Sequence, residues 1–378
     1  MQPSTTNNRQ QDKQAIDFPT DFDSIQARLE AIRPKRYAKT RNFLNGDITY
    51  LSPYISRGVI STKYVLDFLK AEGYKRYEVE KFVQELAWRD YWQTIWKDQG
   101  DAINQDFKRT QPDVLHYEFI QAVNDASTGI ESIDQAIEEL YATGYMHNHN
   151  RMYTAAICCN QGKAHWKLPA RWMYYHLFDG DWASNALSWQ WVAGSNAGKK
   201  YIANQDNINK YTFSKQKGSF LDVSYEELAN LDLPTELESR IDLKLESALP
   251  QPDKLEVNFN RPTAVYNYYN LDPHWLAEQE MNRIMLWEPE VFTKYPIGEK
   301  AVNFALELAK NIAGIQIFVG SFKQLKAQLG GSEVHFKEHP LNTAYRGTEH
   351  PRDWMTSLQG THRSFFAFWK KAEKELRF

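Results

Sequence analysis

The chain has 378 residues, a quarter of them charged, with a formal net charge of −3 and an isoelectric point near 6.4. That length supports two domains and a sizeable core, and the charge balance excludes a globally basic nucleic-acid binder, so contact with phosphates has to come from a local patch. Nothing in it approaches the ~18 apolar residues of a membrane span, and the first residues carry no apolar signal segment. A soluble, cytoplasmic protein is expected. Aromatic residues make up 14% of the chain, including 12 Trp, which suits ring faces used for binding or electron transfer. The two cysteines, Cys158 and Cys159, are neighbours in an apolar run and read as core residues, since adjacent positions rarely meet disulfide geometry.

Residues 1 to 15 are polar and predict a disordered leader. Phe22, Ile25, Leu29 and Ile32 then mark a short helix ending before Pro34. The next segment, RPKRYAKTRNFLNGDITYLSPYISRG, places Arg33, Lys35, Arg36, Lys39 and Arg41 ahead of a loop with Thr49 and Ser52. Such a loop suits a pyrophosphate; it also fits a solvated basic turn with Ser52 as a helix N-cap before Pro53. Residues 78 to 97 predict a strong helix with Leu86, Trp88, Trp92 and Ile95 on an aromatic face and Glu85 one turn from Trp88. Residues 100 to 143 are acidic and expected to be helical, with IESIDQAIEEL as the clearest amphipathic piece.

From Gly144 to Gly198 the chain concentrates aromatic and polar residues with little alternation. Its first helix is expected to put Tyr145, Asn148 and Met152 on one face beside Arg151. Asp179 and Asp181 flank Gly180 in a turn, and Arg151 is a natural partner for one of the two carboxylates. A site for a planar, polar-edged cofactor needs such groups. Beyond Trp191, GSNAGKKYIANQDNINKYT reads as a polar loop, and residues 223 to 280 as a connecting region. RIMLW, GIQIFV and EVHFK are short strands separated by helices near 298–311 and 321–329, with a closing helix near 361–376. That order predicts a small parallel βαβαβ domain over 281 to 378, without a Gly-rich phosphate fingerprint.

GYMHNHNRM, DGDWASN and SWQW, with LSPYISRG and ELAWRDYW upstream, resemble the motifs of the FAD-binding domain in the DNA photolyase and cryptochrome family. The resemblance covers roughly residues 30 to 212 and rests on several separated blocks in the right order. It implies a mainly α fold: a photolyase-like all-helical FAD-binding domain over 16 to 222, followed by the small α/β domain. Tyr37, Thr49, Leu51 (through its backbone), Ser52 and Arg89 match the cofactor's phosphate region. Tyr145, Asn148, Arg151, Asp179 and Asp181 match its ring and adenine surroundings, and Asn185 the position against flavin N5. Glu85, Trp88, Met152 and Trp191 match the residues that meet a pyrimidine dimer. Trp189 and Trp166 match the inner two members of the family's electron-transfer chain. The outer member has no counterpart near Asp113, where Tyr117 is the stand-in. Trp96, Trp172 and Trp182 read as core.

The resemblance implies a deoxyribodipyrimidine photo-lyase that is light-driven and FAD-dependent, acting as a monomer on UV-damaged DNA. Asn185 tilts the reading toward repair, because the family's plant photoreceptors tend to carry Asp there and its animal ones Cys. The alternative is a cryptochrome-like blue-light receptor, and a third reading is a protein of this fold that binds nucleic acid in the dark. His149 stands where photolyases usually carry an Arg, and the motif around His147 does not match the catalytic His pair of the (6-4) enzymes. A conventional antenna domain precedes the flavin domain, whereas here the α/β piece follows it, which puts an antenna chromophore in doubt.

Overall fold

The computed structural model describes residues 16–377; the stretch expected to be a leader, 1–15, lies outside them. Four short helices come first: α1 (Phe22–Glu30), α2 (Pro34–Thr40), α3 (Ser52–Ser56) and α4 (Thr62–Ala71). α1 starts where the Asp21 carboxylate accepts from Ser24 N at 2.8 Å, and it buries Ile25 and Leu29 as their spacing predicts. α5 (Arg76–Gln99) is the axis of the helical part. From Val79 to Trp96 it buries residues around most of its circumference, so over this length it is packed by neighbours rather than facing solvent.

The expectation of helix from 100 to 143 holds only in part. A 3-10 turn (Gly100–Asn104), β1 (Phe119–Ile120) and α6 (Gln121–Asn124) precede α7 (Glu131–Thr143), and β1 pairs with β2 (Arg240–Ile241) far along the chain. Residues 105 to 118 are irregular because their amides bond at long range: Lys108 N and Arg109 N both donate to Ser195 O at 3.1 Å. α8 (Asn148–Ala156) runs into a π-helical turn, Ile157–Gln161, and is followed by α9 (Lys167–His176) and α10 (Trp182–Ala193). The turn carries Cys158 and Cys159, both buried free thiols. The polar stretch after Trp191 is not all loop. α11 (Gln205–Thr212) forms there because Asn204 Oδ1 caps it, accepting from Asn207 N at 3.1 Å.

After α12 (Tyr225–Ala229) comes a five-stranded sheet in the order β5-β4-β3-β6-β7, with every neighbouring pair parallel. The strands are β3 (Thr263–Tyr266), β4 (Asn282–Trp287), β5 (Ile315–Val319), β6 (Val334–Lys337) and β7 (Thr348–His350). α13 (Pro289–Lys294) and α14 (Glu299–Ala309) cross from β4 to β5, α15 (Phe322–Gln328) from β5 to β6, and α16 (Phe365–Glu375) closes the chain. β4, β5 and β6 are the three expected strands. β3 falls inside the stretch 223–280 read as connecting, yet it is the central strand, so the sheet begins before residue 281. Its four residues are all buried and too few to show a period, and the polar edge strand β7 carries no apolar signal.

Candidate cofactor site

The turn Asp179-Gly180-Asp181 joins α9 to α10 and sits against α3, α5 and α8. Gly180 suits a crowded turn, since a Cβ there would press on the carbonyl oxygens of Leu177 and Tyr174 at 3.0 Å. Asp181 caps α10 by accepting from Ser184 N at 2.8 Å. Gln93 Nε2 also donates to its carboxylate, and Arg89 Nη2 lies 3.6 Å away. Burial works against the Asp181 charge, but Arg89 and the bonds from Ser184 and Gln93 outweigh it and hold the carboxyl below its ordinary value. Asp179 takes a different cation: Arg151 Nη2 donates to Oδ2 at 2.8 Å, while Arg151 Nε donates to Met146 O at 2.7 Å.

α3 grips the same turn from the other side. Ser52 Oγ donates to Asp179 Oδ2 and Ser56 Oγ to Asp179 O, each at 2.7 Å, and Arg89 Nη1 donates to Ser56 Oγ at 2.9 Å. Ser52 is therefore not the N-cap. Leu51 holds that position, and the serine hydroxyl is committed to the turn. Just before it Tyr50 adopts φ 52°, a left-handed conformation unusual for a bulky residue, wedged edge-on between Phe18 and Tyr145. Arg57 is fully buried, donates to Gly180 O and lies 3.5 Å from the ring centroid of Tyr268. Burial lowers its pKa to about 10.

Asn148, Arg151, Met152, Asp179, Asp181 and Asn185 line one pocket of about 130 Å³, with Trp189 on its wall. Six of the expected cofactor or dimer residues thus come together with one of the expected electron carriers. Asn185 Nδ2 is committed to Ala170 O at 2.7 Å, which leaves its acceptor Oδ1 for a ligand. Tyr145 does not belong to α8. His147 Nδ1 accepts from His149 N and starts the helix after it, and Tyr145 packs instead against Phe18 and Tyr50. Tyr37 packs edge-on to Phe82, and neither it nor Thr49 reaches the pocket lining. Burial brings the pKa of His147 and of His149 to about 4, so both are neutral at pH 7.

The remaining expected residues lie elsewhere. Glu85 pairs with Arg41 at 3.3 Å. Trp191 is 40% exposed beside Tyr201, outside the pocket lining. Trp88 is stacked on Phe365 of α16. Trp166 is fully buried, and its indole N–H donates to Asp106 Oδ1 at 2.8 Å. His165 lies 5.7 Å from Trp166, and Tyr117, 71% exposed, stacks on His165 at 5.0 Å. Trp96, Trp172 and Trp182 are buried in the core.

Sequence reasoning missed Gln93, Ser56, Arg57 and Arg352. Gln93 stands one helical turn after Arg89, so spacing could have found it. Arg352, which donates to Gln93 Oε1, follows β7 and has no local signal.

The pocket fits a planar ligand with a polar edge. Asp179 Oδ1 and Ser184 Oγ on its wall are buried without partners, and Met173, Leu177 and Val192 supply apolar faces. Among the described residues no group of three or more His, Cys, Asp or Glu could hold a metal, and no helix is long and apolar enough to cross a membrane.

Residues 82–248 match the family model described as the FAD binding domain of DNA photolyase. The chain is 33% identical over 166 residues to a deoxyribodipyrimidine photo-lyase of Streptomyces griseus, covering 42% of this chain and 35% of that protein. It is 28% identical over 287 residues to a chloroplastic/mitochondrial cryptochrome DASH of Ostreococcus tauri, covering 65% and 49%. A solved Synechocystis cryptochrome superposes with a TM-score of 0.45 at 22% identity, over 52% of this chain and 44% of that one. The chain thus spans between about a third and a half of the length of these relatives. Residues 82–248 thus match an FAD-binding domain of the kind found in DNA photolyases, and the cofactor is FAD.

Proposed function

We propose that the chain is a light-driven DNA photolyase that splits cyclobutane pyrimidine dimers. The observation that carries this reading is the convergence of Arg151–Asp179, Asp181, Asn185 and Met152 around one pocket with Trp189 on its wall, Arg89 lying behind it 3.6 Å from Asp181. Bound FAD, when reduced, supplies an electron on illumination. The chain's residues supply position and field. Ser52 and Ser56 fix the Asp179 turn, and Arg89 and Gln93 keep Asp181 an acceptor. Asn148 and Met152 stand one helical turn apart at the pocket rim, within reach of a base entering from solvent. A dimer pairs poorly, so extruding it costs less than flipping a normal base. Trp189, Trp166, His165 and Tyr117 are the aromatic groups for returning electrons from the surface.

One observation favours the second reading, a cryptochrome-like photoreceptor. Trp88, expected to meet the dimer, has one of its faces covered by Phe365. Illuminating the reduced, flavin-loaded protein with dimer-containing oligo(dT) separates the two. Recovery of thymine absorbance supports repair; none, with flavin photochemistry intact, supports the photoreceptor.

A further inference from the structure

α16 lies outside the matched domain and combines features that packing does not explain. Its inner face buries Phe365, Phe368, Trp369 and Ala372. Its outer face exposes Phe366, at 67%, among Lys370, Lys371 and Lys374, with Arg363 just before the helix. Residues 361–377 hold five cations against two carboxylates, in a chain whose net charge is −3. Both carboxylates are engaged: Glu373 pairs with Arg76 at 2.8 Å, and Glu375 accepts from Ser357 N at 2.7 Å. Among the described residues Arg363, Lys370, Lys371 and Lys374 form no ion pair. Lys108 extends the patch, donating to Arg363 O at 3.3 Å.

We propose that this outer face of α16 is a DNA-binding surface, in which Arg363, Lys370, Lys371 and Lys374 track the phosphates of one strand and Phe366 stacks on a base. The proposal rests on the DNA reading above and deepens it. Cations along a track with an exposed ring among them form the pattern that holds single strands without reading their sequence. The location fits. Phe365, next to Phe366, lies on Trp88, so a strand on this face runs past the residue expected to flank the dimer. A lone exposed Phe is ordinary on a protein surface, and a run of lysines is ordinarily a solvated face. It is their convergence on one short helix, with the acids drawn off it, that points to a polyanion carrying stackable rings.

The test is dark binding of fluorescein-labelled oligo(dT) to the flavin-loaded protein across a salt series. The triple variant Lys370→Ala, Lys371→Ala, Lys374→Ala should bind more weakly and lower the slope of log affinity against log salt by about 2, at ~0.7 per phosphate contact on single strands. Phe366→Ala should weaken binding about fivefold with the slope unchanged. Both variants lie at exposed positions, and flavin absorbance checks their folding. If wild type binds DNA and the triple variant matches it in affinity and slope, the surface is wrong while the DNA reading stands. If wild type binds anionic vesicles but not oligo(dT), the proposal fails and the surface belongs to a membrane. If wild type binds no damaged or undamaged strand, the DNA reading fails with it.

Discussion

The rings of Phe365 and Trp88 lie face to face, with centroids 3.7 Å apart and planes within 8°. Phe365 is 2% exposed, so this stack joins the closing helix of the α/β part to the central helix of the flavin-binding part. Removing the ring leaves a cavity between them. Phe365→Ala should lower unfolding free energy by about 3 kcal/mol in urea titrations. Phe365→Leu should cost less and, with Trp88 uncovered, bind dimer-containing oligo(dT) more tightly than wild type. Unchanged or weaker binding by a folded Leu variant would mean that Trp88 does not meet the dimer.

Asp179 accepts from Arg151 and Ser52 through Oδ2, and its Oδ1 is buried without a partner. Asp179→Ala leaves the part-buried Arg151 without its carboxylate and should cost about 2 kcal/mol, below the ~3–5 for a fully buried pair. The purified variant should be folded by circular dichroism and colourless. A full flavin complement in Asp179→Ala would remove the turn from the cofactor site.

Asp90 gives a pH-dependent term. Burial raises its pKa to about 6, against the hydrogen bonds from Met355 N and Thr62. With the folded value above the unfolded one, the native state holds the extra proton between about pH 4 and 6, and stability contributed by this group is lost as pH rises through that window. The loss amounts to roughly 3 kcal/mol at pH 7. Buried His147 and His149 act in the opposite sense, being neutral in the fold, so the informative quantity is the difference between proteins. Asp90→Asn should lack the decline, and denaturant unfolding from pH 4 to 7 should show the two proteins diverging. Parallel curves would mean that Asp90 is ionised throughout.

The proposed relay to the surface is tested by flavin photoreduction. Trp166→Phe should abolish light-driven bleaching of oxidised flavin in the presence of an external reductant. Tyr117→Phe should slow it severalfold, because Tyr117 stacks on His165 at the exposed end of the path. Bleaching of Trp166→Phe at the wild-type rate would place the path elsewhere.

Much of the flavin-binding part was legible in the sequence because its groups are local. The DGD turn, Arg151 and Asn185 lie within thirty-five residues of one another on consecutive helices, so motif spacing carries their geometry. What failed depended on distant partners. Tyr145 left the expected face because His147 caps α8 behind it, and residues 105 to 118 stayed irregular because their amides bond to Ser195 and Lys163. β3 was invisible: Thr263–Tyr266 is four residues long and buried on both faces. Phe365 on Trp88, 277 positions apart, belongs to the same class. No local pattern encodes a stack across two halves of a chain.

Arg57 donates through its guanidinium to Gly180 O and rests on Tyr268, and its own carbonyl accepts from Leu271 N at 2.9 Å. One side chain therefore pins the carboxylate turn to the segment leading out of the sheet's middle strand. Rocking of the two halves against each other must drag this rivet, and the turn with it. The carboxylate turn and the position of the sheet are mechanically one variable.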